Sequence, residues 1–182
     1  MNKAAWLLAL MTACSGGDDG GSVNGRTING VNLPDREPDV TRTGDLSTGT
    51  TIDLSWADDS EIACFPGNEN SNFNGNHVFF TEDRQGLEYA YIAVDPDSGV
   101  DTSFYVLQYS GAVGTPPDVG SPALCDAGYD ASGDSNPGSA DAAEIYGNGD
   151  WALEIGVAGA NGETAGAFTV SIWYEAVEFD AE

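Results

Sequence analysis

Apolar and polar residues alternate along several short segments of the chain, and this period of two predicts β-strands. Ile52, Leu54 and Trp56 would share one face of a strand that begins at Thr50, because successive side chains of a strand point to opposite faces. Further strands are predicted at residues 77–80, 89–94 and 102–109. The second of these three is apolar at nearly every position, so we expect it to be buried on both faces.

The alternation is clearest in the last third of the chain. Residues 151–158 and 168–172 follow it closely, and Asn161 and Gly162 lie between them. Because this dipeptide is typical of tight turns, we expect the two strands to pair as an antiparallel hairpin. No segment after Cys14 shows an apolar stripe of helical period, so the pattern favours a two-sheet antiparallel β-sandwich over residues 50–182.

Two segments are predicted to lie outside the sheets. Residues 14–49 are rich in Gly, Asp, Asn, Thr and Pro, which predicts a flexible tether; the alternative is that Val31 and Leu33 pack as a short extension. Residues 110–139 contain Pro116, Pro117, Pro122 and Pro137. Proline interrupts a regular core strand, so this segment is predicted to be a long loop, held in place at Cys125.

The N-terminus has the profile of a bacterial lipoprotein signal. Residues 1–13 contain one cation, Lys3, and then an apolar run that is too short to cross a bilayer. The run ends in Leu10-Met11-Thr12-Ala13-Cys14, which resembles the lipobox that precedes a lipidated cysteine. The resemblance implies a mature chain that starts at Cys14, carries acyl chains such as palmitate, and is anchored in a membrane by them. The alternative is an ordinary signal peptide with Cys14 unmodified.

Ser15 follows the predicted lipid attachment site. In lipoproteins an aspartate at this position favours retention in the inner membrane, so the serine predicts sorting to the outer membrane. The domain would then face the periplasm or the cell surface.

The chain is strongly acidic. All thirty acidic residues follow Cys14, and four arginines are the only basic residues besides Lys3 and His77. Nucleic acid and anionic lipid surfaces are therefore disfavoured as partners, because both require a basic surface. The negative charge is compatible with cations or basic molecules as partners. The alternative is that the charge only keeps a tethered domain soluble.

Cys64 and Cys125 remain once Cys14 is assigned to the lipid. An even pair of cysteines in an oxidising compartment predicts a disulfide. Zinc is disfavoured, because two isolated cysteines without clustered histidines lack its ligand pattern.

Three stretches resemble the bacterial pre-peptidase C-terminal domain. Residues 99–106 are similar to its Gly-x-Asp-x-x-x-Tyr-Val strand, residues 151–159 to its penultimate strand, and residues 166–172 to its closing strand. The resemblance implies a jelly-roll-like β-sandwich. The chain also resembles a sandwich domain of predicted outer-membrane lipoproteins, with residues 73–77 before one strand and residues 156–162 near the end.

The residues offer little catalytic chemistry. His77 is the only histidine, and no Gly-x-Ser-x-Gly motif accompanies it, so a serine hydrolase is disfavoured and His77 is interpreted as structural. Trp56, Trp151 and Trp173 lie on predicted strands and are interpreted as core residues; only an exposed planar cluster would indicate sugar stacking. We expect no enzyme and no organic cofactor.

Asp95, Asp97 and Asp101 surround a turn between two predicted strands. Carboxylate oxygens are the ligands that calcium prefers, so these residues are candidate calcium ligands. The alternative is a plain turn in which Asp101 accepts local backbone hydrogen bonds. A second group is expected to be solvated rather than metal-binding: Asp126, Asp130, Asp134 and Asp141.

These observations predict a non-catalytic lipoprotein of the bacterial surface that acts as a binding or structural module. The alternative function is a glycan-binding or accessory domain that assists a secreted hydrolase. The sequence predicts a membrane partner through the lipid, and a protein or glycan partner at the cell surface.

Overall fold

The computed structural model describes residues 24–58, 62–65, 67–129 and 137–177. The predicted signal peptide and Cys14 lie outside the described residues, as do Asp130 and Asp134. Within the described part of the chain, no helix is both long enough and apolar enough to cross a membrane.

The described residues form strands and a few short helical turns. The strands are β1 (Thr27–Ile28), β2 (Val31–Asn32), β3 (Val40–Asp45), β4 (Thr50–Thr51), β5 (Asn76–Gln85), β6 (Glu88–Pro96), β7 (Thr102–Tyr109), β8 (Leu124–Gly128), β9 (Asp141–Gly147), β10 (Asp150–Gly159) and β11 (Ala167–Ala176). The helix α1 (Ser55–Asp58) and the 3-10 turns Leu46–Thr48, Gly67–Phe73 and Ala160–Gly162 connect them.

Two antiparallel sheets pack face to face. One has five strands in the order β4-β5-β10-β7-β8, and the other has four in the order β3-β11-β6-β9. Their inner faces share one core, in which Phe104, Val106 and Ile155 of the first sheet meet Ile92 and Val170 of the second. The predicted all-β, two-sheet antiparallel sandwich is confirmed.

The outer face of the five-stranded sheet carries a second core. Tyr105, Leu107 and Tyr109 point away from the first core and are buried in a cluster with Leu54, Trp56, Phe65 and Phe73. The alternation predicted for residues 102–109 is therefore correct, and both faces of β7 are covered.

The strand predicted from Thr50 through Trp56 is wrong. Only Thr50 and Thr51 pair with β5. The Asp53 carboxylate then accepts a hydrogen bond from the Ser55 N–H at 2.9 Å, an arrangement that starts a helix. Leu54 and Trp56 consequently pack in the second core instead of on a strand.

The predicted hairpin of the last two strands is also wrong, although both strands exist. β10 pairs with β5 and β7, whereas β11 pairs with β3 and β6 in the other sheet. Asn161 and Gly162 do have positive φ, but their turn begins a crossing from one sheet to the other. Gly75 N–H donates to the Gly159 carbonyl at 2.8 Å and holds the start of that crossing.

The predicted tether is too long. Residues 40–45 form β3, an edge strand paired with β11, and Leu46 is fully buried in the first core. β1 and β2 form a small hairpin from which Ile28 and Leu33 pack on the outer face of the four-stranded sheet. Similarly, the predicted loop at 110–139 contains β8, the edge strand that carries Cys125.

Candidate functional site

His77 is a structural residue of the second core, as predicted. It is 2 % exposed, its Nε2 lies 2.7 Å from the Phe73 carbonyl oxygen, and its Nδ1 lies 3.2 Å from the Tyr105 hydroxyl. Burial lowers the pKa of the imidazole. With both ring nitrogens bonded in the core, the histidine is not presented to a substrate.

Asp95 and Asp101, two of the three candidate calcium ligands, interact with different residues. Asp95 lies on β6, where burial raises its pKa and the Arg26 charge opposes that rise. Asp101 accepts a hydrogen bond from the Asn161 side chain at 3.1 Å. Among the described residues, no group of three or more acidic, histidine or cysteine side chains could hold a metal ion. Asp95, Asp97 and Asp101 do not form such a group, although the charge of Asp97 adds to the rise in the pKa of Asp95.

The structure joins Cys64 and Cys125 in a disulfide, with 5.3 Å between their Cα atoms. The bond ties the segment over the second core to β8. Trp151 and Trp173 are buried, and Trp56 packs against Phe65 and Tyr105. The interpretation of the tryptophans as packing residues agrees with these positions.

Tyrosine side chains cluster instead on the outer face of the four-stranded sheet. Tyr146, Tyr89 and Glu175 lie opposite one another on β9, β6 and β11, and the next row contains Glu144, Tyr91 and Trp173. We call the first five of these residues, Tyr89, Tyr91, Glu144, Tyr146 and Glu175, the tyrosine face. Tyr146 is 38 % exposed, both glutamates are exposed, and the other two tyrosines are half-buried.

The three rings touch without being coplanar. The centroids of Tyr89 and Tyr146 are 5.2 Å apart with an angle of 55° between the planes, and those of Tyr89 and Tyr91 are 6.3 Å apart at 32°. Such contacts hold the rings in place on a rigid sheet. The face therefore presents several inclined aromatic surfaces to a ligand.

Two carboxylates lie close to the Tyr91 side chain. Partial burial raises the pKa of Tyr91, and the nearby charges of Glu144 and Glu175 raise it further. The tyrosine face thus combines aromatic surface with negative charge.

Residues 24–39, here called the N-terminal segment, lie beside the tyrosine face and pack on the neighbouring part of the outer face of the four-stranded sheet. Trp173 is fully buried, and its Nε1 donates to the Arg36 carbonyl at 2.8 Å. The Arg36 guanidinium is bonded to Asp39 through two contacts of 3.0 Å and to the Tyr174 carbonyl at 2.8 Å. This packing leaves the tyrosine face as the uncovered aromatic part of the outer surface.

A polar cleft of about 680 Å³ lies at the other sheet, between the ends of β5, β7 and β10. Asp83, Gln85 and Asp150 line it, together with buried Tyr109 and Trp151. Because the aromatic rings at this cleft are buried, it offers no exposed ring to a ligand. The tyrosine face is the better candidate site.

The sequence interpretation missed this site. Residues 89–94 were expected to be buried on both faces, but Tyr89 and Tyr91 alternate with the buried Ala90 and Ile92. The alternation was a usable signal for one partly open face. The contribution of Tyr146 was not predictable, since no strand was predicted for residues 141–147.

No protein-family model matches the chain, and no curated protein matches it. Among solved structures, it is similar to the pre-peptidase C-terminal domain of collagenase from Bacillus anthracis, with 13% sequence identity, a TM-score of 0.38, and coverage of 75% of this chain and 90% of that one. It is also similar to TmCBM61 in complex with β-1,4-galactotriose, with 13% identity, a TM-score of 0.31, and coverage of 76% and 91%. Likeness of this degree carries no functional argument, so the site is argued from its own geometry.

Proposed function

We propose that the chain is a non-catalytic binding module of the bacterial outer membrane, anchored through a lipid on Cys14, which binds another macromolecule of the envelope at the tyrosine face. The observation that supports the binding surface is a group of one exposed and two half-buried tyrosines with two exposed glutamates on the outer face of a sheet. Tyrosine is enriched where proteins bind partners, because its ring is apolar and its hydroxyl is polar.

A tether that begins at a lipid on Cys14 would keep this surface close to the membrane. Nine residues lie between Cys14 and Asn24, where the described fold begins. Ten extended residue steps span at most about 35 Å. A lipid on Cys14 would therefore keep the N-terminal segment, and the tyrosine face beside it, within reach of molecules at the membrane surface.

A glycan is the second candidate ligand, because exposed tyrosines can stack on sugar rings and carboxylates can accept hydrogen bonds from sugar hydroxyls. A domain of this kind would assist a secreted hydrolase. Glycan arrays probed with the wild-type chain and with a Tyr89→Ala/Tyr146→Ala variant test this candidate directly.

The binding surface is tested by capture from envelope extracts on the immobilised full chain. We expect Tyr89→Ala/Tyr146→Ala to lose the captured partner while its urea unfolding shows that it still folds. The matched control is Val113→Ala/Leu124→Ala, which removes exposed apolar surface elsewhere and should leave capture unchanged. Equal capture by wild type and the tyrosine variant would overturn the assignment of the surface.

The anchor is tested separately. Cys14→Ser should abolish acyl labelling and release the protein from the membrane fraction, because the thiol is the attachment point of the lipid. Unchanged partitioning would refute the lipoprotein assignment and leave the tyrosine face to be judged by the capture experiment.

A further inference from the structure

We infer that the tyrosine face binds arginine or lysine side chains of a basic partner protein. This inference rests on the proposed function and names the chemistry of its ligand. It is supported by the charges around the rings, by the inclination of the rings, and by a contact elsewhere in the same molecule.

The carboxylates of the tyrosine face are available for a cation. Three of the four arginines of the mature chain form ion pairs with other carboxylates, Arg36 with Asp39, Arg42 with Glu82 and Arg84 with Glu88, at 2.7 to 3.0 Å. The charge of Glu175 acts on Arg36, but the guanidinium itself is bonded to Asp39 and the Tyr174 carbonyl. Glu144 and Glu175 therefore add negative charge that an incoming cation would complement.

The planes of the three tyrosine rings are inclined to one another and do not form one flat surface. A sugar ring stacks best on one open, planar aromatic surface, whereas a cation is attracted to the face of each ring that it approaches. The planes of Tyr89 and Tyr146 meet at 55°, so the two rings do not form one plane. This geometry suits a guanidinium or ammonium group better than a pyranose.

The inner side of the same sheet already binds an arginine in this way. The Arg84 guanidinium carbon lies 3.7 Å from the centroid of the Tyr174 ring, and its nitrogens contact the Glu88 carboxylate at 2.9 to 3.2 Å. Tyr174 and Glu175 are neighbours on β11 and point to opposite faces. The outer face repeats the combination of tyrosine and glutamate that binds Arg84 inside.

The charge of the whole chain favours the same partner. Thirty acidic residues and four arginines leave the mature chain strongly negative. A basic partner would be attracted over the screening distance of about 8 Å at physiological salt, and its encounter rate would fall as salt rises. Non-specific attraction of this kind must be separated from binding at the tyrosine face.

The test measures binding of a labelled hexa-arginine peptide to the full chain in detergent at about 0.15 M salt, with a hexa-citrulline peptide as the neutral isostere. We expect Glu144→Gln/Glu175→Gln to weaken binding about tenfold and Tyr146→Ala to weaken it several-fold, while Tyr146→Phe changes it less than twofold. The matched control is Asp58→Asn/Asp118→Asn, which removes two exposed carboxylates elsewhere and should change binding less than twofold.

Each contrary outcome has a definite meaning. Equal weakening by the two carboxylate pairs, or equal binding of the citrulline peptide, would overturn the inference, because the attraction would then be non-specific. Binding of neutral cellotriose that Tyr146→Ala abolishes, without specific arginine binding, would overturn the inference but leave the proposed function intact. If neither probe requires Tyr146 and envelope capture is also unchanged, the proposed function fails as well.

Discussion

Glu154 is a carboxylate on β10 that is only 1 % exposed, and it lies on the outer face of the five-stranded sheet. Both of its oxygens accept hydroxyl hydrogen bonds, Oε2 from Thr81 at 2.6 Å and Oε1 from Thr115 at 2.7 Å. A buried carboxylate is costly unless it is hydrogen-bonded. Thr115 belongs to the segment after β7, so this bond also fixes that segment on the sheet.

Thr115→Val should destabilise the protein by about 1–3 kcal/mol, because it leaves one oxygen of a buried carboxylate without a donor. Urea unfolding measures the change. Thr43→Val, at an exposed position of β3, is the control and should stay within about 0.5 kcal/mol of wild type. Equal stability of the two variants would show that Thr115 contributes no net free energy.

His77 gives the folded protein a defined pH dependence. Burial lowers its pKa from the ordinary 6.5, so the unfolded chain binds the proton more readily than the folded one. The stabilisation is complete above the unfolded pKa and is lost as the pH falls from there through the folded pKa. His77→Gln does not titrate, so its stability deficit relative to wild type should shrink between pH 7.5 and 5.5. A constant deficit, measured by urea unfolding, would contradict this explanation.

At the scale of elements, one segment converts an outer sheet face into a second core. Phe65 and Phe73 of this segment both contact Tyr105, and the two phenylalanine rings are stacked with 4.0 Å between centroids. The described residues between β4, which ends at Thr51, and β5, which begins at Asn76, form no strand that pairs with the sheet. The disulfide from Cys64 to β8 supplies the missing long-range connection.

Removing the disulfide should therefore cost substantial stability. Its sequence separation is 61 residues, for which the chain-entropy model gives about 4 kcal/mol. Cys64→Ala/Cys125→Ala should lower the free energy of unfolding by an amount of that order, measured with urea. Reductant should destabilise wild type similarly and have no effect on the variant; insensitivity of wild type would show that the bond is not formed in the protein.

At the scale of the molecule, strand patterns predicted the sheets, but their connections were not predictable. β7 and β10 were recognised because the two cores make alternate positions apolar on both faces. The partner of β10 was missed, since a turn at Asn161-Gly162 can either close a hairpin or start a crossing between sheets, and only packing decides. β3 was missed because Thr41, Arg42 and Thr43 are exposed on an edge strand and resemble a tether.

The high net charge of the chain makes its stability depend on salt, and comparing salts distinguishes screening of the carboxylates from binding of calcium. The chain has a formal net charge of −25 at pH 7, and because these negative charges repel one another, salt should raise the melting temperature. Because Asp95, Asp97 and Asp101 form no metal-binding group in the structure, we expect sodium chloride to reproduce the effect of calcium chloride at matched ionic strength. A saturable excess for calcium that magnesium does not give would contradict this expectation. If Asp97→Asn then loses the extra rise in melting temperature with calcium, the ion binds at the turn between Asp95 and Asp101. If the variant keeps that rise, calcium binds among other carboxylates.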